Sequence, residues 1–294
     1  MPKPGNDLPR RKVVTSGGCR QEEVKHFDYK YTASFRVVPP YRFEFGTSIK
    51  ARWIGQPLLQ VFSQEFPYFE DSVAYYTNAM KVGRLRVNDE VAPLEYRCRD
   101  GDVITHHVHR HEPPVTSHKV RILSDSGDLL VVDKPPSLPC HPGGRYRRNS
   151  LLAILAKEHQ LFDLHTVHRL DRLTSGLLLI GKNKQAAEKV RQEFEQGSVK
   201  KMYLARVLGQ LPPGRTLVDQ PIACKSHREA IHCIREEDGK PSQTAFTRCA
   251  ARVGCWQARF WVGPGDERAR FDAHCQRLEV TDLVRILPAW RRVG

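Results

Sequence analysis

The sequence contains no apolar run of the roughly 18 to 20 residues that a membrane-spanning helix requires. Its first stretch, MPKPGNDLPRRK, lacks the apolar segment of a secretory signal peptide. The eight cysteines follow no regular spacing, which favours reduced thiols over a disulfide framework. We therefore expect a soluble intracellular protein, and these features leave cytoplasm, nucleus and mitochondrion open as its compartment.

Acidic residues are too few to balance the basic ones, since 33 Asp and Glu face 47 Lys and Arg in 294 residues. The resulting net charge of +14 attracts polyanions, which makes nucleic acid the first partner to consider and a membrane surface the second. A hydrophobic content of 40% is sufficient for a sizeable core in one large domain or in two moderate ones.

The first fifty residues are polar and interrupted by proline and glycine, which predicts an N-terminal extension over 1–50. Within it, aromatic and charged residues alternate over 41–45 (YRFEF), as they do in a half-exposed strand. The first domain is therefore predicted to begin after this extension.

The next segment, 51–115, has the pattern of a small domain in which two helices precede short strands. One helix is predicted by apolar residues at helical spacing: Leu58, Leu59, Val61, Phe62 and Phe66. A second helix is predicted around 73–82. Turn residues then separate the strands, namely Gly83, Asn88 with Asp89, and Gly101. This order of elements resembles the S4-like RNA-binding fold.

Basic residues beside these turns are the candidate RNA contacts of an S4-like domain. They are Arg84, Arg86, Arg97 and Arg99. Such residues meet phosphates in RNA-binding domains, where they supply most of the affinity. The alternative is a solvated basic face that binds nothing.

Two stretches with clustered histidines raise the question of a metal site. In HHVHRHEPPVTSH (106–118), strand-like alternation places three histidines on one side: His107, His109 and His111. The Pro-Pro pair behind them marks a linker, and no carboxylate or thiolate completes a ligand set. The second stretch, CKSHREAIHC, offers Cys224, His227, His232 and Cys233. Its last two are adjacent and so point to opposite faces of a strand, which favours a polar hairpin. We predict no metal site.

A second domain is predicted to begin near Thr116. Its first strand, 129–132, ends at Asp133-Lys134 before two prolines, which stop a sheet ladder and stiffen the turn. A core helix follows, capped by Asn149 or Ser150. Next come a strand over 177–180, a helix closed by Gly197, and a strand in KKMYLARVLG.

Asp171 is the candidate catalytic residue, and it lies in the stretch HTVHRLDRLTSGLLLIGK. One interpretation is a turn carboxylate paired with Arg169 or Arg172. The other is a partly desolvated carboxylate that a neighbouring guanidinium keeps ionised and nucleophilic. No second carboxylate lies at a convincing spacing for paired acid-base hydrolysis, and no Gly-rich loop cradles a phosphate. The predicted chemistry therefore uses no cofactor.

Three motifs in order give this sequence a family resemblance: VVDKPPSLPCHPGG, HRLDRLTSGLLLIGK and KKMYLARVLG. Together they closely resemble the RluA-type RNA pseudouridine synthases. The stretches ARWIGQPLLQVFSQEF and VHRHEPPVT look like the eukaryotic branch, which includes fungal enzymes acting on the tRNA anticodon loop. The resemblance spans roughly 41–247. It implies an α+β pseudouridine synthase fold with a mixed, mainly antiparallel sheet, beside the S4-like domain.

The resemblance also implies a role for each site residue. Asp171 would be the nucleophile of uridine isomerisation, and Arg169 would fill the space left by the flipped base or hold a phosphate. Tyr203 would stack on the uracil, although a core aromatic is the alternative, and Lys134 would support the catalytic loop. The implied partner is structured RNA, with tRNA favoured and mRNA also open, and no cofactor, membrane or obligate protein partner is expected.

The resemblance stops after Thr247, where the catalytic domain (116–247) is predicted to end incomplete. Family members carry a later motif, Gly-Arg-Thr-His-Gln-Ile-Arg, whose basic residue pairs with the catalytic aspartate, and no stretch of 248–294 matches it. Five arginines of this divergent tail are candidate substitutes: Arg248, Arg252, Arg259, Arg268 and Arg270. Without the missing strand the sheet would keep an unpaired edge. The alternative function is therefore an impaired family member that only binds RNA.

Overall fold

The computed structural model describes residues 21–67, 71–207, 213–226, 231–252, 255–262 and 285–286. These residues form two compact units. Pro39–Glu112 belong to unit 1, whereas 21–38 and the residues from Pro113 onward belong to unit 2. None of the helices in the described part of the chain combines the length and the apolar character needed to cross a membrane.

The helices of the described residues are α1 (Gln21–Lys25), α2 (Leu58–Glu65), α3 (Ser72–Lys81), α4 (Leu151–His159) and α5 (Lys184–Glu195), with a 3-10 turn at Ala51–Trp53. The strands are β1 (Lys30–Tyr31), β2 (Phe35–Val37), β3 (Tyr41–Ser48), β4 (Leu85–Val87), β5 (Glu90–Val91), β6 (Val103–Arg110), β7 (Val115–Thr116), β8 (Arg121–Ser126), β9 (Leu129–Lys134), β10 (His165–Thr166), β11 (Gly176–Gly181), β12 (Lys201–Val207), β13 (Arg215–Asp219), β14 (Ile222–Ser226), β15 (Ile231–Ile234), β16 (Gln243–Arg252), β17 (Cys255–Val262) and β18 (Arg285–Ile286). Every pairing among these strands is antiparallel, in agreement with the predicted α+β class.

Unit 1 joins two helices to a four-stranded sheet of order β3-β6-β4-β5. The apolar faces of α2 and α3 form its core together with side chains of β4 and β6. Asp71 caps α3, because its carboxylate accepts a hydrogen bond from the Ala74 amide at 2.9 Å. Asn88 and Asp89 have φ values of 51° and 67°, which is the left-handed conformation that a tight hairpin turn between β4 and β5 requires. Both predicted helices are confirmed.

The core of unit 2 lies between α4 and a four-stranded sheet of order β10-β11-β9-β8. The predicted strands and helices over 129–195 are confirmed, and Asn183 caps α5 by accepting from the Ala186 amide at 2.8 Å. At the end of β11 the chain passes so close to α5 that a Cβ on Gly181 would lie 2.7 Å from the Ala187 nitrogen. Only glycine fits there, so β11 and α5 are fixed at close range.

A five-stranded sheet of order β13-β16-β17-β12-β18 completes the described part of unit 2. Strand β16 crosses the boundary predicted at 247, and β17 pairs with β12 on one side and β16 on the other. Residues after 247 therefore supply a strand to the sheet, and the expectation that the sheet would lack it is wrong. Strand β17 was not predicted because it carries no family motif. Its position is specified by pairing with the neighbouring strands. Arg268 and Arg270 lie outside the described residues.

The predicted N-terminal extension also differs from the structure. Strand β3 pairs with β6 along its whole length, from Tyr41 opposite Arg110 to Ser48 opposite Val103, and is part of unit 1. The preceding residues, 21–38, belong to unit 2, where β2 pairs with β7. The described part of this segment, 21–50, is therefore divided between two folded units.

Candidate active site

Asp171 is half-buried in the loop that connects β10 to β11. Its backbone carbonyl accepts a hydrogen bond from the Thr174 amide at 3.1 Å, which closes one turn. Thr174 and Ser175 behind it are buried, with 4% and 8% of their surface exposed. The chain then enters β11 through Gly176 at φ 126°, a conformation that side chains with a Cβ rarely adopt. The Thr-Ser-Gly run therefore fixes the direction of the loop.

Lys134 is the cation that the fold brings towards Asp171. It ends β9 opposite Gly176 of β11 and is fully buried. Its Nζ donates to the carbonyl oxygens of Leu138 at 2.7 Å, Pro135 at 3.1 Å and Arg172 at 3.4 Å. Burial lowers its pKa to about 8, and the opposing influences include the Asp171 carboxylate. The ammonium thus braces the backbone of the residue next to Asp171.

Cys140 fastens a second loop to the Asp171 loop. Its Sγ donates to the Leu170 carbonyl at 3.1 Å and accepts from the Leu170 amide at 3.3 Å. Burial raises the pKa of this thiol. Cys140 lies within the motif VVDKPPSLPCHPGG, but a single cysteine there carries no pattern of its own from which this role could be predicted.

The loop of Asp171 also carries two exposed positive charges. Arg169 and Arg172 are exposed on either side of Asp171. The Arg172 guanidinium lies 5.8 Å from the ring centroid of Tyr146. Burial, followed by the charge of Arg169, lowers the pKa of His141. The two exposed guanidiniums make the surface of the loop attractive to an anion such as a phosphate.

His168 anchors the loop from behind and was also missed by sequence analysis. Its Nε2 accepts a hydrogen bond from the Leu179 amide of β11 at 3.1 Å. The ring stacks on Phe194 of α5, with centroids 4.8 Å apart. Burial lowers the pKa of His168 to about 4, so the imidazole is neutral at physiological pH. The sequence signal for this role was the position of the histidine directly before Arg-Leu-Asp. Its hydrogen-bond and stacking partners are known only from the fold.

Tyr203 lies on β12 of the same unit and is half-buried. Its backbone is opposite Phe260 of β17, and its ring packs against the core cluster that Tyr146 also contacts. Arg259, one of the candidate tail arginines, is opposite Leu204 in the same strand pair. Lys134, Arg169 and Asp171 therefore converge on one loop, with Tyr203 in the unit that carries it.

The four candidate arginines of unit 1 have different surroundings. Arg86 donates to the carbonyls of Gly83 at 2.8 Å and Asp89 at 3.2 Å, and Arg97 donates to the Gly55 carbonyl at 2.8 Å. Two others lie over aromatic rings, each at 5.6 Å: Arg84 over Tyr75 and Arg99 over Tyr96. Arg86 thus braces the turn beside it and Arg97 braces the distant backbone of Gly55, which sequence reasoning could not anticipate.

The histidine-rich stretches show the predicted local structure. His107, His109 and His111 are all exposed along or just beyond β6. Strands β14 and β15 form the predicted hairpin, in which Cys224 is opposite His232. His227 lies outside the described residues. Within the described residues, no group of three or more His, Cys, Asp or Glu side chains is arranged to hold a metal ion.

Comparison with known proteins adds independent evidence. The family model described as RNA pseudouridylate synthase matches residues 128–279, a span that includes Lys134, Asp171, Tyr203 and β17. The chain is 40% identical over 239 residues to pseudouridylate synthase RPUSD2 of Mus musculus, covering 81% of this chain and 43% of that protein. It is 35% identical over 234 residues to the mitochondrial tRNA pseudouridine(32) synthase of Saccharomyces cerevisiae, covering 78% and 50%.

A solved structure is also similar to this chain. It is the human RNA pseudouridylate synthase domain containing 1, with 26% identity and a TM-score of 0.45, covering 55% of this chain and 66% of that one. The chain spans about half the length of the two curated relatives named above. The family model covers more than half of the chain and includes the loop that carries Asp171. The chain therefore belongs to the RNA pseudouridylate synthase family, of the RluA type that its motifs predicted.

Proposed function

We propose that this chain isomerises uridine to pseudouridine in structured RNA, with Asp171 as the catalytic residue. The observation that carries the proposal is the half-buried Asp171 loop, braced by the buried ammonium of Lys134, inside the span matched by the family model. Two relatives from Saccharomyces cerevisiae are named as tRNA pseudouridine synthases. We therefore favour tRNA over mRNA as the substrate of this chain.

The chemistry suits a single carboxylate. Isomerisation breaks the bond between N1 of uracil and C1′ of ribose, turns the base, and joins C5 to C1′, after which C5 loses its proton and N1 gains one. Atoms and electrons balance, so no redox partner is needed. Asp171 assists by attacking the sugar or the base, or by removing a sugar proton. The carboxylate that each route uses raises the pKa of the Lys134 ammonium against the effect of burial, as an opposite charge nearby does.

The reacting base must leave its stack before any of these steps. Extrusion costs a few kcal/mol and is easiest in a loop, which fits a tRNA hairpin loop as the target. We assign Arg169, exposed beside Asp171, to fill the vacated space or to hold a phosphate. Tyr203 supplies the aromatic face on which the uracil stacks. Lys134 supports the loop through the Arg172 carbonyl and has no direct contact with substrate in this proposal.

Unit 1 is proposed to be an S4-like RNA-binding domain. Its two helices precede a β-hairpin, and the candidate arginines follow the second helix or lie in the loop before β6. Arg84 and Arg99, which are stacked on tyrosines, are the better phosphate ligands. Arg86 and Arg97 already donate to backbone carbonyls, so we expect a smaller contribution from them. No obligate protein partner or cofactor is part of the proposal.

The test is tritium release from tRNA that carries tritium at C5 of uridine, using the purified full chain. Because C5 loses its hydrogen only when it bonds to C1′, release reports the completed isomerisation. Release that depends on the chain supports the proposal. Tight RNA binding without release would favour the alternative, a family member that only occupies RNA. Cytoplasm, nucleus and mitochondrion all hold tRNA, so this assay is independent of compartment.

A further inference from the structure

The segment 21–38, called the N-terminal segment below, is part of unit 2 although unit 1 follows it in the chain. Val24 and Phe27 are buried against Ala153 and Ala156 of α4. This helix starts directly after the loop that contains Cys140 and Tyr146. The N-terminal segment is therefore packed against the helix that follows this loop.

A bidentate ion pair links the N-terminal segment to that loop. The Nε and Nη2 groups of Arg147 donate to the two carboxylate oxygens of Glu23, each at 2.9 Å. The Arg147 side chain is only 9% exposed and that of Glu23 20%. A planar, two-point contact of this kind fixes orientation as well as distance, and it is stronger when shielded from water. Glu23 thus holds the backbone around Arg147 in one position.

Contacts continue from Arg147 to the loop of Asp171. The neighbouring Tyr146 exchanges two backbone hydrogen bonds with Gly143, at 2.7 Å and 2.9 Å. Its ring lies under the Arg172 guanidinium, and Cys140 in the same loop bonds to both backbone groups of Leu170. Residues 170 and 172, on either side of Asp171, are therefore both held by the loop that Glu23 fixes.

A second ion pair links the N-terminal segment to the C-terminal end of α4. Arg36 is 1% exposed and donates to Glu158 at 2.7 Å, while Tyr31 donates to the same carboxylate at 2.6 Å. Tyr29 and Tyr31 flank the guanidinium, with centroids at 5.1 Å and 5.4 Å. Glu158 lies seven residues after the start of α4, about 10 Å along the helix axis. This ion pair stabilises the same segment, and its carboxylate, unlike that of Glu23, is bound to Arg36 and Tyr31 of the segment itself. Tyr29 separately donates to the Arg148 carbonyl at 2.7 Å, a bond that does not involve Glu158.

We propose that Glu23 is a positioning residue for the isomerisation: through Arg147 and Tyr146 it sets the loop that carries Asp171. The inference rests on the proposed function for its effect on turnover. The inferred effect of Glu23 on the conformation of the two loops does not depend on any activity. The N-terminal segment is accordingly part of the active-site framework.

The experiment compares Glu23→Gln with Glu158→Gln, since each removes the carboxylate charge from a pair with a buried arginine at the same segment. Amide hydrogen exchange is followed in peptides covering 138–148 and 168–175. Glu23→Gln should raise exchange in both peptides by about 10-fold, because each loop loses its brace. Glu158→Gln should raise exchange around 28–38 and leave both loop peptides unchanged, because the bond from Tyr29 to the Arg148 carbonyl does not depend on the charge of Glu158.

Turnover on saturating tRNA and RNA affinity are measured on the same proteins at a temperature where all are folded. Glu23→Gln should lower kcat on the order of 10-fold while RNA affinity stays within about 3-fold, since misplacement of a reacting group affects the chemical step. Glu158→Gln should keep the parent kcat. Glu23→Asp, which restores the charge, should recover part of the loss.

Two results would overturn the inference: unchanged exchange in both loops of Glu23→Gln, or equal kcat losses in the two glutamine variants. If Glu23→Gln does not fold, Tyr146→Leu serves instead, and unchanged exchange in 168–175 of that variant refutes the pathway. Absence of product from the unmodified chain would count against the proposed function, whereas the exchange measurement would still decide the role of Glu23.

Discussion

The buried imidazole of His168 makes the stability of unit 2 depend on pH in a way that can be measured. Its pKa is lowered from 6.5 to about 4 by burial. Because the unfolded chain binds a proton more readily, stability is fully present above pH 6.5 and is lost as pH falls towards 4. With these two pKa values, the loss between pH 7 and pH 5 is about 2 kcal/mol.

The variant that isolates this effect is His168→Gln, because glutamine can still accept from the Leu179 amide but does not titrate in this range. For a unit of this size, about 2 kcal/mol corresponds to roughly 4 to 8 °C in Tm. When pH is lowered from 7 to 5, the Tm of the parent protein should therefore fall by roughly 4 to 8 °C more than the Tm of His168→Gln. His106 of unit 1, whose pKa burial also lowers to about 4, is present in both proteins and cancels in the comparison.

The measurement is thermal unfolding by circular dichroism at pH 7 and pH 5, with the exposed His118→Gln as the control. The control should behave like the parent at both values. Identical pH-dependent losses in the parent and in His168→Gln would refute the reasoning, because they would show that His168 does not change its protonation on unfolding.

Two further predictions concern substrate and RNA contacts. Tyr203→Leu should lower turnover by about 10-fold or more, and Tyr203→Phe should lower it less, because stacking on a base contributes about 1 to 3 kcal/mol and needs only the ring; equal losses in tritium-release assays would point to the hydroxyl instead. Neutralising Arg84 and Arg99 to Gln should weaken tRNA binding and reduce the slope of log affinity against log salt by about 0.7 to 0.9 for each lost phosphate contact. Arg86→Gln and Arg97→Gln serve as comparisons, and an unchanged slope for Arg84 and Arg99 would show that unit 1 does not bind phosphates there.

The salt measurement is better made with point variants than with removal of residues 1–115. Such a truncation also deletes Glu23 and Arg36, which bind Arg147 and Glu158 of unit 2. A loss of RNA affinity would then mix the contribution of unit 1 with damage to the other unit.

Much of the fold follows from local sequence signals. The apolar spacing of α4, the Asn183 cap of α5 and the two prolines after Lys134 act within a few residues, so these elements could be placed from the sequence. Asp171 could be placed in a loop before a buried strand for the same reason. The motif around Asp171 also predicted the family to which the chain belongs.

Other features depend on partners that are distant in the sequence. Glu23 is 124 residues from Arg147, and Cys140 is 30 residues from Leu170. Strand β17 is specified by its position between β12 and β16 rather than by a motif. Arg86 and Arg97 were predicted as phosphate ligands because sequence alone does not distinguish two roles of an arginine. The side chain can donate to a backbone carbonyl, as these two do, or bind an RNA phosphate. Tertiary contacts decide these cases.

The most direct test of the account is Asp171→Asn in the full chain, which keeps the volume of the side chain and removes its charge. Tritium release from C5-labelled tRNA and tRNA affinity are measured in parallel with the parent protein. We predict that release is abolished while affinity stays within a few-fold, because affinity depends chiefly on phosphate contacts. Release by Asp171→Asn at a sizeable fraction of the parent rate would contradict the assignment of Asp171 as the catalytic residue.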